Sequence, residues 1–106
     1  MSDCIFCKNL PKVLENDLAY VLYDIKPISQ GHMLVIPKRH HVTTFASTAE
    51  EIKAMFDLLD QAKVMLQKEH KPDGYNVTAN CGAVAGQIVM HAHFHLIPRY
   101  IKKNSP

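Results

Sequence analysis

The chain has 106 residues, of which 47% are hydrophobic, and a formal net charge of +2. A chain of this length suits one small domain over residues 1–106, and pairing of two chains would add to the surface that it buries. The mild charge, without a basic run or basic residues interleaved with aromatic ones, excludes an extended nucleic-acid surface, so any phosphate ligand is expected to be a small molecule.

The sequence also argues against membrane insertion and secretion. No apolar run approaches the roughly 20 residues of a membrane span. The first residues, Met1-Ser2-Asp3-Cys4, lack the basic and apolar regions of a signal peptide. Three cysteines, an odd number, argue against a disulfide framework and for metal binding or free thiols. We therefore expect a cytoplasmic protein with no membrane contact.

The first part of the chain is predicted to form strands. Leu18–Tyr23 has the composition and length of a strand, and it follows a turn at Glu15–Asp17, so a β-hairpin is expected here. A polar loop, Asp24–Gly31, then leads to the apolar run His32–Pro37. Such a run is typical of a strand that is buried on both faces.

One long amphipathic helix is predicted next. Two overlapping capping boxes, Ser47 to Glu50 and Thr48 to Glu51, can each satisfy free amides at a helix start. Pro72-Asp73-Gly74 closes the segment. The apolar residues that repeat at helical spacing in between are Ile52, Met55, Phe56, Leu59, Ala62 and Leu66.

The last part contains two further strands and a group of histidines. Tyr75–Asn80 alternates as a strand, and Cys81–Gly86 is a loop of mostly small residues. His91, His93 and His95 follow at every second position, so an extended segment would place all their imidazoles on one face. Strands, one principal helix and further strands indicate an α+β domain.

Three histidines in strict alternation call for a chemical explanation. A single histidine in a strand is usually a satisfied polar residue, and three together could be a metal site or a chance cluster. A neutral imidazole is nucleophilic, and its ordinary pKa of about 6.5 leaves much of it neutral at cytoplasmic pH. His93 is therefore a credible covalent catalyst.

The sequence resembles the histidine triad (HIT) superfamily, and within it a bacterial-type HIT protein with a zinc-site variant that carries Cys-x-x-Cys. The family signature, His-x-His-x-His followed by two apolar residues, is matched by His91–Ile97. The resemblance implies a mainly antiparallel sheet of about five strands, one long helix, a short N-terminal helical segment and a homodimer. Further family positions occur in family order at Asp24–Pro27, Gly31–His40, Asn80 and Ala85–Gln87.

The resemblance also implies a reaction. Family members of this kind are nucleotidyl hydrolases or transferases that cleave at the α-phosphate of purine nucleotide conjugates, such as nucleoside phosphoramidates, dinucleoside polyphosphates or adenylylated compounds. By position, His93 would attack phosphorus and form a nucleotidyl-histidine intermediate. His95 and His32 would donate to phosphate oxygens, and Gln87 would form a hydrogen bond near the leaving group.

A nucleotide pocket is implied as well. Asp24 would accept from the ribose hydroxyls, Asn80 would lie near the sugar and phosphate, and Gly86 would let backbone amides approach a phosphate. Two residues depart from the family pattern, since Ile88 stands where a hydroxyl residue is common and Asn9 where an apolar one is common. The implied purine walls, each of which equally fits plain core, are Ile5, Phe6, Ile25 and Leu34.

A structural zinc site is implied by the same resemblance, and no organic cofactor is expected. Cys4-x-x-Cys7 alone is a weak signal, but with His40 and His91 it forms a Cys2His2 set that a zinc-bearing branch of the family uses. His41 is the rival of His40 as ligand. If His91 is a ligand, strand twist or an irregularity must turn its ring away from the nucleophile.

Two other hypotheses stay open at this stage. The first is a zinc-stabilised nucleotide-binding or scaffolding module with little turnover, which Ile88 motivates through the lost hydroxyl. The second is a metallohydrolase in which His91, His93 and His95 are catalytic metal ligands.

Overall fold

Five antiparallel strands and one long helix form the architecture that a computed structural model gives for residues 4–101. The helix, α1, spans Ala49–Glu69. The strands lie in the order β1-β2-β3-β5-β4, and every neighbouring pair is antiparallel. The predicted α+β class is thus confirmed, and the predicted short N-terminal helical segment is present as one 3₁₀ turn at Ile5–Cys7. The strand bounds are β1 Leu14–Glu15, β2 Ala19–Tyr23, β3 Met33–Pro37, β4 Gly74–Thr78 and β5 Phe94–Arg99.

The two faces of the sheet carry two separate apolar clusters. On one face, Val21, Met33 and Leu96 pack with the buried side of α1. On the other face, Tyr20 and Leu34 pack with Phe6 from the N-terminal turn. All five residues of β3 are buried because both clusters cover it, which confirms the strand predicted from the apolar run at His32–Pro37.

The start of α1 uses only one of the two predicted capping boxes. The Thr48 hydroxyl accepts from the Glu51 amide at 3.0 Å, and the Glu51 carboxylate accepts from the Thr48 amide at 2.8 Å. Ser47 does not cap the helix because its hydroxyl is hydrogen-bonded to the His41 ring at 2.7 Å. Arg39 also donates twice to Glu51, which holds the pKa of this buried carboxyl at about 2.

The apolar positions predicted for α1 face the sheet, with one exception. Met55, Ala62 and Leu66 are fully buried, whereas Phe56 is 46% exposed. Phe56 lies beside Phe94 of β5, with ring centroids 5.3 Å apart. No helix among residues 4–101 has the length and apolar character that a crossing of the bilayer requires.

The strand that was expected to carry all three triad histidines begins later than predicted. β5 starts at Phe94, so only His95 of the three lies in it. The physical reason is a competing set of bonds. The Ala92 amide donates to the His41 carbonyl at 2.7 Å, and the His93 ring is hydrogen-bonded to the His91 carbonyl at 2.8 Å. These local bonds replace a sheet ladder around His91 and His93.

Gly31, in the turn before β3, is needed for two reasons that can be tested together. Its φ is +88°, and an added Cβ would lie 2.7 Å from Leu66 Cδ2. Gly31→Ala should therefore lower the free energy of unfolding by about 2–4 kcal/mol, from backbone strain and steric overlap together. Urea denaturation measures the change.

The matched control for that substitution is Gly74→Ala, since no atom lies within 4 Å of the added Cβ there. It should change the free energy of unfolding by less than about 1 kcal/mol. Equal stability of the two variants would contradict the strain assigned to Gly31.

Candidate active site and metal cluster

A cavity of about 610 Å³ lies on the face of the sheet opposite α1. Sheet register builds its floor, because Leu22 pairs with Leu34, Leu34 with His95, and His95 with Thr78 in neighbouring strands. A cavity of this size accepts a nucleotide-sized ligand. The predicted site residues that line it are Ile5, Phe6, Asp24, Ile25, Leu34, Asn80, Gly86, His93 and His95.

His93 is held in one tautomer by the chain itself. Its Nδ1 lies 2.8 Å from the carbonyl oxygen of His91, and a carbonyl only accepts, so Nδ1 carries the proton. Nε2 then holds a lone pair. Phe6 stands nearly perpendicular to the ring, with centroids 5.3 Å apart, and limits its rotation. The arrangement is one in which an imidazole can act as a nucleophile.

His32 and His95 form a hydrogen-bonded pair in which His95 lines the cavity and His32 lies behind it. The Ile28 amide donates to His32 Nδ1 at 3.1 Å, so the proton of the neutral ring is on Nε2. His32 Nε2 lies 2.9 Å from His95 Nδ1 and donates to it. His95 therefore keeps its own proton on Nε2, where it can donate to a ligand.

The sequence predicts that His32 donates directly to phosphate, whereas its contacts favour an indirect role through His95. Both nitrogens of His32 are used within the chain, and the residue is only 2% exposed. It lies behind His95 and sets the tautomer of that ring. Asp24 Oδ2 is also 3.5 Å from His32 Nε2.

The pKa values of both rings are shifted downwards. Burial is the main cause of the lowered pKa of His32, and the Asp24 carboxylate opposes it. Burial also lowers the pKa of His95, with further contributions from His93 and His32 and again with Asp24 in opposition. Both rings therefore favour the neutral form that the hydrogen-bonded pair requires.

Gln87 occupies a different position from the one predicted. Its Oε1 accepts from the Gly82 amide at 2.8 Å, and its Nε2 donates to the carbonyls of Val42 and Val89 at 2.6 and 3.0 Å. The side chain is 4% exposed and braces the loop that ends at Gly86. In this structure Gln87 shapes the cavity wall and does not line the cavity.

The four predicted metal ligands lie close together around Nδ1 of His91. The donor atoms of Cys4, Cys7, His40 and His91 all lie within 4.8 Å of one another. His91 Nδ1 is 3.3 Å from Cys4 Sγ, 3.5 Å from Cys7 Sγ and 3.1 Å from His40 Nδ1. Tetrahedral zinc with ordinary bond lengths would separate two nitrogens by about 3.3 Å and nitrogen from sulfur by about 3.5 Å. The residues fit zinc.

The ring orientation of His91 supports the same conclusion. Its Nε2 lies 2.7 Å from the Pro37 carbonyl, so Nε2 carries the proton and Nδ1 presents its lone pair to the cluster. His41, the rival ligand, is instead bonded to Arg39 O and Ser47 Oγ. The triad rings also diverge, since His91 faces the cysteines while His93 faces the cavity, which argues against a single metal held by all three.

Several residues that shape the cavity were not found from the sequence. Tyr20 donates its hydroxyl to the Phe6 carbonyl and fixes the N-terminal turn. Leu10 lines the cavity, whereas its neighbour Asn9 is exposed and bonds to Lys12, so the departure at Asn9 does not affect the pocket. Alternation along β2 marks Leu22 as a face residue, but only the strand register places it beside His95.

The fold and the site define an α+β protein with an imidazole-lined, nucleotide-sized cavity and a Cys2His2 cluster. Residues 8–102 match the model of the HIT domain, and the chain belongs to the HIT family.

Several relatives and solved structures are similar to the chain. The adenosine 5′-monophosphoramidase HNT1 of Saccharomyces cerevisiae is 40% identical over 95% of this chain and 65% of its own length. The adenylylsulfatase HINT3 of Arabidopsis thaliana is 35% identical, over 92% and 53% respectively. A HIT family protein from Bacillus anthracis superposes with a TM-score of 0.87 at 38% identity, over 94% of this chain and 75% of that one. A zinc-bound histidine triad family protein from Mycobacterium smegmatis has a TM-score of 0.81 at 31% identity, over 92% and 75%.

The tautomers and pKa directions of His32 and His95 can be measured by imidazole ¹H–¹⁵N NMR. Both rings should titrate below the ordinary value of about 6.5. The stability that depends on their neutral form is present above about pH 6.5 and is lost as the pH falls through their folded-state pKa values.

Asp24→Asn sharpens this test. Its carboxylate is the group that raises the pKa of both rings, so its loss should move both titrations to still lower pH. An upward shift in this variant would contradict the assignment of the Asp24 carboxylate as the group that raises both pKa values.

Proposed function

We propose that the protein is a nucleotidyl hydrolase that cleaves purine nucleotide conjugates at the α-phosphate through a covalent intermediate on His93. The observation that carries the proposal is the 2.8 Å bond between His93 Nδ1 and the His91 carbonyl, which leaves the lone pair of Nε2 available at the cavity. The activities named for the relatives HNT1, an adenosine 5′-monophosphoramidase, and HINT3, an adenylylsulfatase, support it.

The proposed reaction has two steps. His93 Nε2 attacks the α-phosphorus, the bond to the leaving group breaks, and a nucleotidyl-imidazole forms. Water then attacks the same phosphorus and releases the nucleoside monophosphate. His95 Nε2–H donates to a non-bridging phosphate oxygen and stabilises the charge that develops there. His32 acts through His95 as a positioning residue.

The substrate pocket follows from the cavity lining. Asp24, which is partly exposed at the mouth, would accept from the ribose hydroxyls, and Asn80 and Gly86 would lie near the sugar and phosphate. The base would lie between apolar side chains, because stacking on aliphatic and aromatic surface needs no charge. The residues proposed for this wall are Ile5, Phe6, Ile25 and Leu34.

His93→Ala should reduce AMP release from adenosine 5′-phosphoramidate by at least about 10³-fold, because the nucleophile is lost. It should also abolish the acid-labile nucleotidyl mass that intact-mass spectrometry detects on the wild-type chain. His70→Ala, the same change at the end of α1, is the matched control and should retain activity. Nucleotide binding without AMP release in the wild type would instead favour a non-catalytic binding or scaffolding module, the alternative that Ile88 motivates.

We also propose that Cys4, Cys7, His40 and His91 hold a structural zinc ion. Four protein ligands leave no open coordination position, so the metal would join the N-terminal turn to the residues after β3 and before β5. The zinc-bound relative from Mycobacterium smegmatis supports this assignment. The metal would hold His91 in place, and the His91 carbonyl in turn orients His93.

Elemental analysis of the purified protein tests the zinc site. The wild type should contain one zinc per chain, and Cys7→Ser should lose it and unfold at a temperature several degrees lower, because metal binding contributes to folding. Cys81→Ser is the matched control, since Cys81 lies near Thr44 and outside the cluster, and it should keep its zinc. Zinc retention in Cys7→Ser would contradict the ligand set.

We further propose a homodimer. β4 is an edge strand, and Val77 on it is 47% exposed and pairs with Leu96 of β5. Phe56 of α1 is 46% exposed and lies against Phe94, also of β5. An apolar edge of this kind is commonly covered by a second chain. Light scattering should give twice the chain mass, and Val77→Lys should shift it towards the monomer. A monomeric wild type would refute the proposal.

The cytoplasmic location expected from the sequence stays a prediction.

A further inference from the structure

A second cavity, of about 480 Å³, opens beside the candidate active site. Ile5, Ile88 and Val89 line both cavities, so the two are neighbours with a common wall. We call this smaller cavity the side groove, and it plays no part in the reaction proposed above. The remaining residues that line the side groove are Cys4, His40, Val42 and Met90.

The lining of the side groove is mainly apolar. Ile88 is 90% exposed, and Val42, Ile5 and Met90 are between 41% and 46% exposed, so apolar side chains of four residues face solvent together. Within the described part of the chain, no acidic or basic side chain other than His40 lines it, and His40 belongs to the metal cluster. Contiguous apolar surface of this kind commonly marks a binding site.

The side groove lies where the leaving group of the proposed reaction would extend. His93 and Ile88 line the same main cavity, and Ile88 also lines the side groove. In an in-line displacement at phosphorus, the leaving group lies opposite the attacking nitrogen and must extend out of the nucleotide pocket. The side groove shares Ile5, Ile88 and Val89 with that pocket, which places it where it can receive the leaving group.

The common wall also limits which groups can leave. An amine leaves phosphorus only after it gains a proton, whereas a carboxylate leaves as a stable anion. Ile5, Ile88 and Val89 carry no proton donor in their side chains. The wall thus favours a leaving group that carries an aliphatic chain and needs no proton from the wall.

We propose that the side groove is the leaving-group subsite and that it selects acyl adenylates with an aliphatic acyl chain. This inference rests on the proposed function and names its substrate class. The His93 Nε2 lone pair forms the bond to phosphorus, the bond between phosphorus and the acyl oxygen breaks, and the carboxylate departs with that electron pair. Water then supplies an oxygen to phosphorus, the nitrogen recovers its lone pair, and one proton passes to solvent, leaving AMP.

A paired substrate series tests the subsite. Acetyl, butanoyl, hexanoyl and octanoyl adenylates are compared with adenosine 5′-phosphoramidates that carry N-alkyl groups of the same lengths, and AMP release is corrected for spontaneous hydrolysis. kcat/KM should rise by about twofold to fourfold for each buried methylene group. At equal length, the acyl adenylate should be the better substrate.

Variants on the side groove sharpen the test. Val42→Ser should reduce the dependence of kcat/KM on chain length, whereas Val64→Ser, the same change at an exposed position on α1, should keep it. Ile88→Ser restores a hydroxyl at the common wall and should narrow the preference for acyl adenylates over phosphoramidates.

The outcomes separate this inference from the function on which it rests. Equal kcat/KM along the acyl series, with AMP released throughout, would overturn the subsite alone. No AMP from any compound would overturn both proposals. If Val42→Ser changed the mass in light scattering and kept the chain-length dependence, the side groove would be a contact between two copies of the chain, and the inference would be wrong.

Discussion

His91 joins the metal cluster to the candidate nucleophile, and the geometry of the site depends on it. Its Nδ1 faces Cys4 and Cys7, its Nε2 is hydrogen-bonded to the Pro37 carbonyl at 2.7 Å, and its own carbonyl accepts from His93 Nδ1 at 2.8 Å. A single residue thereby anchors the segment before β5 to the end of β3 and sets the tautomer of the ring that follows. A metal held by this cluster would be structural, yet it would act on the reaction through the position of one carbonyl oxygen.

Each imidazole of the site has its proton placed by a neighbour that can only donate or only accept. His91 Nε2–H and His93 Nδ1–H donate to backbone carbonyls, whereas His32 Nδ1 accepts from the Ile28 amide and therefore carries no proton in the neutral ring. His32 Nε2–H then donates to His95 Nδ1 at 2.9 Å, which leaves the proton of the neutral His95 ring on Nε2. The result is one ring with a free lone pair beside another with a free N–H, which is the pairing that attack on a phosphate requires.

The apolar surroundings have a matching consequence for the substrate. Phe6 and the leucines of β2 and β3 line the cavity in which we propose that the base lies, and Ile88 lines both this cavity and the side groove. Burial in this environment is also what lowers the pKa of His32 and His95. Burial thus supports the neutral form of both rings.

The sequence by itself determined the parts of the molecule that are encoded locally. Apolar spacing and the Thr48 capping box predicted α1, the apolar run predicted β3, and the resemblance to the HIT family implied the ligand set. Only the tertiary structure decided where β5 begins, that Gln87 braces a loop, and that His32 acts behind His95. The reason is physical, because a hydrogen bond between rings 63 residues apart, or between Cys4 and a ring 87 residues away, depends on strand register and not on local pattern.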